Sequence, residues 1–150
     1  MLNHCLDSVF LQSFDNIEHI IVDGGSTDGT LSLLNSRRSS LSAIISEPDN
    51  GIYDAMNKGI ELANGDIIGF LNSDDFYADK DVISKVEKIF KEDLSLDGCY
   101  ADLIYVDKRN INKTVRYFKS SKFQKGFFAK GWCPPHPTFF LRRSVYERFG

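Results

Sequence analysis

The sequence predicts an α/β fold, with a mixed but mostly parallel sheet and helices on both of its faces. Helical and strand-like patterns alternate through the first part of the chain, and turns rich in Gly, Ser and Asp separate them. The apolar run at 67–71 does not alternate with polar residues, which indicates a strand that is covered on both faces. Such an order is typical of open sheets whose strands are joined by helical crossovers.

The composition is that of an ordinary globular domain. The 150 residues are 42% hydrophobic and carry a net charge of −3, so we expect one domain over residues 1–150 with its own core. The N-terminus has no basic region followed by an apolar core, and no apolar run approaches the roughly 20 residues of a membrane-spanning helix. Three cysteines without metal-ligand spacing fit a reducing compartment, and we expect a cytoplasmic location.

The first half of the chain alternates helices and strands. Near-helical spacing of apolar residues predicts a helix over 2–13, and the apolar run at 17–23 predicts a strand that ends on a carboxylate. Asp28 or Thr27 can then cap a helix that starts at Leu31. The next elements are a strand at 41–46, a turn with Pro48 and Gly51, and a helix at 53–63 with Ile52 on its inward face and Gly65 at its end.

The second half begins in the same way and then changes. The strand at 67–71 is followed by a helix over 84–90, with Ile89 on its inward face and Asp79 or Asp81 as its cap. The remaining elements are a hairpin of strands at 99–106 and 114–118, an irregular stretch at 119–135, a strand at 136–141 and a helix at 144–149.

Two adjacent carboxylates, Asp74 and Asp75, follow the apolar strand at 67–71. Ligands of open α/β sheets bind outside the carboxyl ends of the strands, so both side chains are expected in that crevice. They repel each other unless a cation neutralises them, and carboxylate oxygens suit Mg²⁺ or Mn²⁺. The alternative is an Asp-rich turn that caps the next helix, and the pair alone does not separate the two interpretations.

A glycine-rich turn at 24–29 lies between a predicted strand and a predicted helix. This arrangement can present backbone N–H groups to an anion. However, no Walker lysine follows and there is no G-x-G-x-x-G pattern. The alternative is a tight turn that needs a positive φ at Gly24 or Gly25.

The segment from Lys108 to Lys130 contains eight Lys and Arg residues and no Asp or Glu. The interpretation we favour is a solvated loop whose aromatic side chains fold inward. A patch for an anionic membrane or a phosphate-bearing acceptor comes second, and a single-stranded nucleic-acid track comes third because the chain is acidic overall. The interleaved aromatic residues are Tyr117, Phe118, Phe123, Phe127 and Phe128.

Four motifs follow one another along the chain: Ser8–Phe14, Ile20–Thr30, Ser46–Gly59 and Gly65–Asp75. In this order and at this spacing they resemble the family 2 glycosyltransferases of the GT-A fold, the bacterial cell-surface polysaccharide type. The resemblance is dense over residues 6–76 and thinner over 130–150.

The resemblance implies a metal-dependent enzyme. It would move a sugar, with inversion, from a nucleotide-diphosphate donor, UDP-linked by expectation, to a glycan or lipid-linked acceptor in cell-surface polysaccharide synthesis. Mn²⁺ or Mg²⁺ would steady the departing diphosphate as a Lewis acid. No nucleic-acid partner is expected, whereas peripheral contact with the inner face of the membrane is left open.

The same resemblance assigns site residues. Asp75 is the expected metal ligand, and Asp74 is a second metal ligand or a contact to ribose or diphosphate. His136 is expected in the acceptor pocket, where it could act as base, and the alternative is a core or loop histidine. For Lys58 the alternative is a solvated helix lysine. The residues expected to bind the nucleotide-sugar are Asp23, Gly24, Ser26, Asp54, Lys58 and Asp74.

The sequence departs from the family pattern in several places. Many relatives have an acid at the position of Gly24, and Asn72 stands where the family's first Asp-x-Asp acid falls. The family's first strand would precede Met1 and its base motif would follow Gly150. We therefore expect a fragment that associates with itself through unpaired strand edges, or that is irregular near residues 17–23. An alternative function is a catalytically incomplete module that binds nucleotide-sugar and metal.

Overall fold

The fold is that of a computed structural model, which describes residues 1–149. Helices and strands alternate from the first helix to the fourth, then a hairpin follows, and the last element is a helix, as predicted. The helices are α1 (Leu2–Phe10), α2 (Thr30–Ser36), α3 (Ile52–Leu62), α4 (Val82–Glu92) and α5 (Arg143–Phe149). The strands are β1 (Ile20–Asp23), β2 (Ala43–Ser46), β3 (Ile67–Gly69), β4 (Gly98–Cys99), β5 (Leu103–Asp107), β6 (Asn110–Phe118) and β7 (Phe140–Arg142).

The chain divides into two compact units. The first unit comprises residues 1–12 and 69–141, and the second comprises residues 13–68 and the residues from Arg142 on. None of the helices within residues 1–149 is long and apolar enough to cross a bilayer.

The second unit is built around a parallel strand pair. β1 and β2 pair in register from Ile20 opposite Ala43 to Asp23 opposite Ser46. Because parallel strands point the same way, the carboxyl ends of both strands lie at one edge. α3 approaches β1 closely where Gly59 lacks a side chain, and a Cβ there would be 3.7 Å from Val22. This pairing places the Asp23 and Ser46 side chains next to each other.

In the first unit, a buried amide joins the end of α1 to the start of α4. Gln12 is 9% exposed. Its Nε2 donates to the carbonyl oxygens of Ser8 (2.9 Å) and Asp79 (2.8 Å), and its Oε1 accepts from the N–H of Ile83 (2.9 Å). Every polar atom of the side chain has a partner, which is what burial of an amide requires.

The first unit also contains two antiparallel pairings. β7 lies between β4 and the end of β3, and Gly98 is opposite Leu141. The β5–β6 hairpin turns at residues 108–109 and carries a register shift after Tyr105. Gly69 faces the ring of Phe140 so closely that a Cβ would be 2.4 Å from it.

The structure corrects several predicted boundaries. The strand predicted over 136–141 starts only at Phe140, and residues His136–Thr138 form a 3₁₀ turn. Pro135 and Pro137 explain this, because proline fixes φ and has no N–H to give to a strand. β1 begins at Ile20, β3 ends at Gly69, and α3 spans Ile52–Leu62, one residue earlier at each end than the predicted 53–63.

Two helix details also differ from expectation. Gly29, with φ 92°, is the N-cap of α2, while the Asp28 carboxylate accepts from the N–H of Thr30 at 3.2 Å. Ile52 and Ile89, which helical spacing places on inward faces, are 53% and 44% exposed. Helical periodicity gives the direction of a side chain and not whether anything covers it.

Candidate functional site

Asp23, at the end of β1, is the centre of a hydrogen-bond network in the second unit. Its Oδ2 accepts from the N–H of Gly25 (3.2 Å) and of Ser26 (2.9 Å), and from the hydroxyl of Ser46 (2.6 Å). Its Oδ1 accepts from the Ser26 hydroxyl. These four donors match the roughly four lone-pair positions of a carboxylate. Asp23 therefore organises the turn that follows β1, with Ser26 as its direct partner.

These contacts keep Asp23 ionised although it is only 8% exposed. Burial by itself raises the pKa of this carboxyl, but hydrogen bonds from Ser26 and Ser46 and from two backbone N–H groups outweigh it. The pKa of Asp23 is consequently lower than its usual value. Hydrogen bonds to the charged form of a carboxylate have this effect.

Removing the Ser46 hydroxyl tests the network. We expect Ser46→Ala to raise the pKa of Asp23 and to cost about 1.5–2 kcal/mol of unfolding free energy at neutral pH, the low end for a hydrogen bond to a charged group because three other donors remain. A lowered native pKa contributes stability above the unfolded pKa that disappears as the pH falls through the native value. The loss should therefore shrink below about pH 4. Urea unfolding at several pH values measures this loss of unfolding free energy, and Ser32→Ala, at an exposed serine, is the control.

Two glycines shape the turn for different reasons. Gly25 has φ 83°, a left-handed conformation that side-chain-bearing residues rarely adopt. Gly24 has no such φ, but a Cβ on it would lie 2.7 Å from Oδ2 of Asp49. The positive φ expected at Gly24 or Gly25 is thus at Gly25. At Gly24 the absent side chain leaves room for the Asp49 carboxylate.

Lys58 is a fixed cation and not a solvated helix lysine. Its side chain is 21% exposed, and its Nζ lies 2.8 Å from Oε1 of Glu47 and 3.6 Å from Oδ2 of Asp54. It also donates to the carbonyl of Pro48 at 3.2 Å. The hydrogen bond to Glu47 is the main reason why the pKa of Lys58 is raised. Lys58 therefore fastens the 47–50 turn onto α3.

Asp54 completes this arrangement from the first turn of α3. Its Oδ2 accepts from the N–H of Asn50 at 3.0 Å, which lowers the pKa of Asp54. Asp49 in turn accepts from the N–H of Gly51 at 2.9 Å. The second unit thus presents more carboxylates than cations around this turn.

The two predicted metal ligands lie in a short turn of the first unit. The N–H of Asp75 donates to the carbonyl of Asn72 at 3.0 Å, and Asn72 Nδ2 donates to Oδ2 of Asp75 at 3.1 Å. Asp75 is half-buried, whereas Asp74 is exposed. Asn72, which replaces the expected acid, therefore positions the Asp75 carboxylate.

Burial and the neighbouring charge of Asp74 raise the pKa of Asp75, against opposing effects of Asn72 and His136. The buried Cys5 thiol, which donates to the Asn72 carbonyl at 3.4 Å, is near enough to feel both acids. Burial, Asp75 and Asp74 raise its pKa to about 11. The negative charge of this turn is therefore only partly compensated by the protein.

His136 belongs to the same neighbourhood of the first unit. It is exposed, its ring lies 6.1 Å from that of Phe70, and its charge favours ionisation of Asp75. It is thus a loop histidine beside the acidic turn and not a core residue.

The acidic turn fits a hard divalent cation that has further ligands from a substrate. Within residues 1–149, no group of three or more His, Cys, Asp or Glu side chains is placed to hold a metal ion. Mg²⁺ in nucleotide enzymes is commonly held by one or two carboxylates together with phosphate oxygens and water. Asp75 and Asp74 supply such a donor set.

Sequence reasoning missed part of this site. Ser46 and Glu47 stand within the third of the four motifs, but no role was predicted for them, whereas the 49–57 segment was expected to lie over the nucleotide and donor sugar. Ser46 is 23 positions from Asp23, and only the parallel register of β1 and β2 brings the two side chains together. A strand-end serine opposite a strand-end acid is a signal that could have found it.

Known glycosyltransferases resemble this chain over its whole length. A glycosyltransferase of PGL/p-HBAD biosynthesis from Mycobacterium bovis (strain BCG / Pasteur 1173P2) is 33% identical over 153 residues, covering 100% of this chain and 57% of the relative. An uncharacterized glycosyltransferase of Mycobacterium tuberculosis (strain ATCC 25618 / H37Rv) is 41% identical over 151 residues, 99% of this chain and 56% of the relative. The chain spans little more than half of these relatives.

The fold is also found among solved structures. The crystal structure of S. aureus TarS 1–349 in complex with UDP matches with a TM-score of 0.70 over 98% of this chain and 44% of that chain, at 19% identity. The predicted α/β fold of GT-A type is thereby confirmed. The sequence profile of glycosyl transferase family 2 matches residues 1–150, and the chain therefore belongs to glycosyl transferase family 2.

Proposed function

We propose that this chain is a glycosyltransferase domain that binds a UDP-sugar together with Mn²⁺ or Mg²⁺. It would transfer the sugar, with inversion, to a glycan or lipid-linked acceptor in cell-surface polysaccharide synthesis. Family membership supports sugar transfer. The metal part of the proposal rests on one observation: in the acidic turn of the first unit, the half-buried Asp75 lies beside Asp74 and its pKa is raised. A bound cation relieves this repulsion.

The charges of the second unit support a role in nucleoside binding. Glu47 and Asp54 already offset Lys58, and Asp49 adds a further carboxylate. Such a surface repels a bare diphosphate, whereas the hydroxyl and N–H donors of a nucleoside suit it. We therefore propose the nucleoside for Gly24, Ser26 and Asp54, while Asp23, whose acceptor positions are already occupied, is proposed to hold the turn that contacts it. Lys58 is proposed to fix the 47–50 turn beside them.

In the first unit, the proposed role of Asp75 and Asp74 is to hold the ion. When bound, the ion supplies Lewis-acid stabilisation to the leaving diphosphate. Asn72 holds the Asp75 carboxylate in place through the bond at 3.1 Å. His136 is proposed to contact the acceptor and is the candidate proton acceptor among the named residues.

Calorimetric titration tests this proposal directly. We expect UDP to bind in the presence of Mn²⁺ and to bind at least tenfold more weakly after chelation, because the diphosphate charge is then uncompensated. CMP, which lacks the second phosphate, is the control and should show little metal dependence. Equal UDP affinity with and without metal would contradict the metal role of Asp75 and Asp74.

A second candidate is a module that binds nucleotide-sugar and metal without turning them over. It keeps the binding roles proposed above and lacks only the transfer step. Release of UDP from UDP-sugars separates the two candidates. Metal-dependent binding without release, across a panel of donors and acceptors, would support the module. Sedimentation of the same sample measures whether the chain forms the expected homo-oligomer.

A further inference from the structure

Charge is strongly segregated along this chain. The segment from Lys108 to Lys130 holds eight of the 18 Lys and Arg residues, while all 21 Asp and Glu residues lie elsewhere. Within residues 1–149, Lys113 is the one of these eight that forms a salt bridge, with Nζ 3.8 Å from Asp107. The segment therefore keeps most of its positive charge uncompensated. We call residues 108–132 the basic aromatic surface.

The aromatic side chains of the loop in this surface, together with Tyr100, form a cluster around Trp132. Ring centroids of Phe127, Tyr100 and Phe128 lie 5.3, 5.4 and 5.6 Å from that of Trp132, and that of Phe123 lies 6.2 Å away. The N–H of Trp132 donates a hydrogen bond of 3.1 Å to the Phe127 carbonyl, which closes the loop. Phe123, Phe127 and Phe128 thus pack against Trp132, but Phe123 and Phe128 do not fold inward as the favoured interpretation of the sequence expected.

The cluster is nevertheless incompletely covered. Phe123 and Phe128 remain 49% and 56% exposed. Lys122, Lys125 and Lys130 are exposed in the same loop. Apolar rings held in a fixed cluster and surrounded by lysines are costly in water, and they are typical of segments that sit at a lipid–water interface.

The β5–β6 hairpin extends the same character. Tyr117 pairs with Ile104, and Val115 lies at the register shift of β6. These three side chains are 56%, 42% and 64% exposed. The guanidinium of Arg116 lies 5.5 Å from the ring centre of Tyr105. Hairpin and loop together provide exposed apolar groups next to cations.

We propose that the basic aromatic surface docks this chain onto an anionic lipid surface. Phe123 and Phe128 enter the headgroup region, and Lys122, Lys125 and Lys130 approach lipid phosphates. A polybasic patch combined with inserted apolar groups supplies the two signals that peripheral attachment needs. The acidic remainder of the chain is repelled by the same membrane, so the attachment has one orientation. Docking of this kind requires neither the proposed donor nor the metal.

The packing of the rings favours lipid over single-stranded nucleic acid. A nucleic acid binds when separate aromatic faces are open for stacking by successive bases. Here Phe123, Phe127 and Phe128 all pack against Trp132. What remains exposed is apolar area suited to insertion between lipids.

Co-sedimentation of the full chain with vesicles tests the proposal. We expect binding to phosphatidylcholine vesicles that contain phosphatidylglycerol, and little binding to phosphatidylcholine alone. The triple variant K122A/K125A/K130A should bind about a hundredfold more weakly, at roughly fivefold for each charge near the membrane. K80A/K88A/K91A removes three exposed lysines elsewhere in the first unit and should stay within about threefold of the native chain.

Trp132 gives a second readout, because it is the chain's single tryptophan. Its emission should shift to the blue on vesicle binding and be quenched by brominated lipids. Phe128→Ala should weaken binding about tenfold through lost apolar area. Equal losses in both triple variants, no quenching in the native chain, or binding of an oligonucleotide in place of vesicles would each overturn the proposal.

Discussion

Asp75→Asn should abolish metal-dependent UDP binding without lowering the stability of the chain. Loss of a partner that merely orients a metal ligand commonly costs about 10–100-fold in affinity, so loss of a ligand's charge should cost at least about a hundredfold. Asparagine keeps the shape of the side chain and can still accept from Asn72. Titration of UDP in the presence of Mn²⁺ measures the effect.

The stability half of this prediction follows from the sign of the pKa shift. Burial and the charge of Asp74 raise the pKa of Asp75 in the folded chain. An acid whose native pKa is raised lowers stability at pH values above its unfolded pKa, and this penalty disappears as the pH falls. The melting temperature of Asp75→Asn should therefore equal or exceed that of the native chain at pH 7, with little difference at pH 4.

Lost UDP binding together with unchanged or raised stability identifies a metal ligand. If Asp75 were a purely structural acid, its replacement would lower the stability and leave UDP binding unchanged. Asp97→Asn is a suitable control, since it changes the same charge in the first unit outside the acidic turn. It should leave UDP affinity unchanged. A destabilised Asp75→Asn variant that retains metal-dependent UDP binding would mean that Asp75 serves the fold and not the ion.

Gly69→Ala should destabilise the chain more than Ser46→Ala or Asp75→Asn. A Cβ at Gly69 would lie 2.4 Å from Cε1 and 2.5 Å from Cδ1 of Phe140, which is 6% exposed and has little room to move. Overpacking of a buried site costs roughly 1–3 kcal/mol, and this contact belongs at the upper end. The expected fall in melting temperature is about 6–10 °C for a chain of this size.

A double-mutant cycle tests whether the clash with Phe140 causes the destabilisation by Gly69→Ala. Phe140→Leu shortens the obstructing side chain, so Gly69→Ala should cost at least about 1 kcal/mol less in that background. Gly65→Ala is the control, because its Cβ would meet nothing nearer than 3.7 Å. If the two losses simply add in the cycle, the clash with Phe140 is not the cause.

Local chemistry made the order of elements predictable. Apolar periodicity identified α1, α3 and α4, and the hairpin followed from two short strand patterns around a polar turn. The boundaries were less predictable where a distant partner decides them. α3 stops at Leu62, and just beyond it the Glu18 carboxylate accepts from the N–H groups of Asn64 (2.7 Å) and Gly65 (3.2 Å).

In the candidate site, too, local sequence made some residues predictable, whereas contacts between distant residues were not. The sequence identified Asp23 and Asp75 from their places after apolar strands. It did not show that Ser46 would occupy an oxygen of Asp23, or that Glu47 would hold Lys58. Both facts depend on the register of β1 with β2 and on the packing of a turn against a helix. The roles of these residues in binding stay predictions until nucleotide is titrated.

The discontinuity of the first unit has a consequence for synthesis on the ribosome. α1 belongs with residues that are encoded only after residue 68, and the partners that Gln12 needs are at Asp79 and Ile83. At about 5–20 residues per second, the emerging helix waits several seconds for them. The strands and helices of residues 13–68 are complete in the meantime. Helix α1 therefore spends that interval as an unshielded amphipathic segment, a natural client for a chaperone.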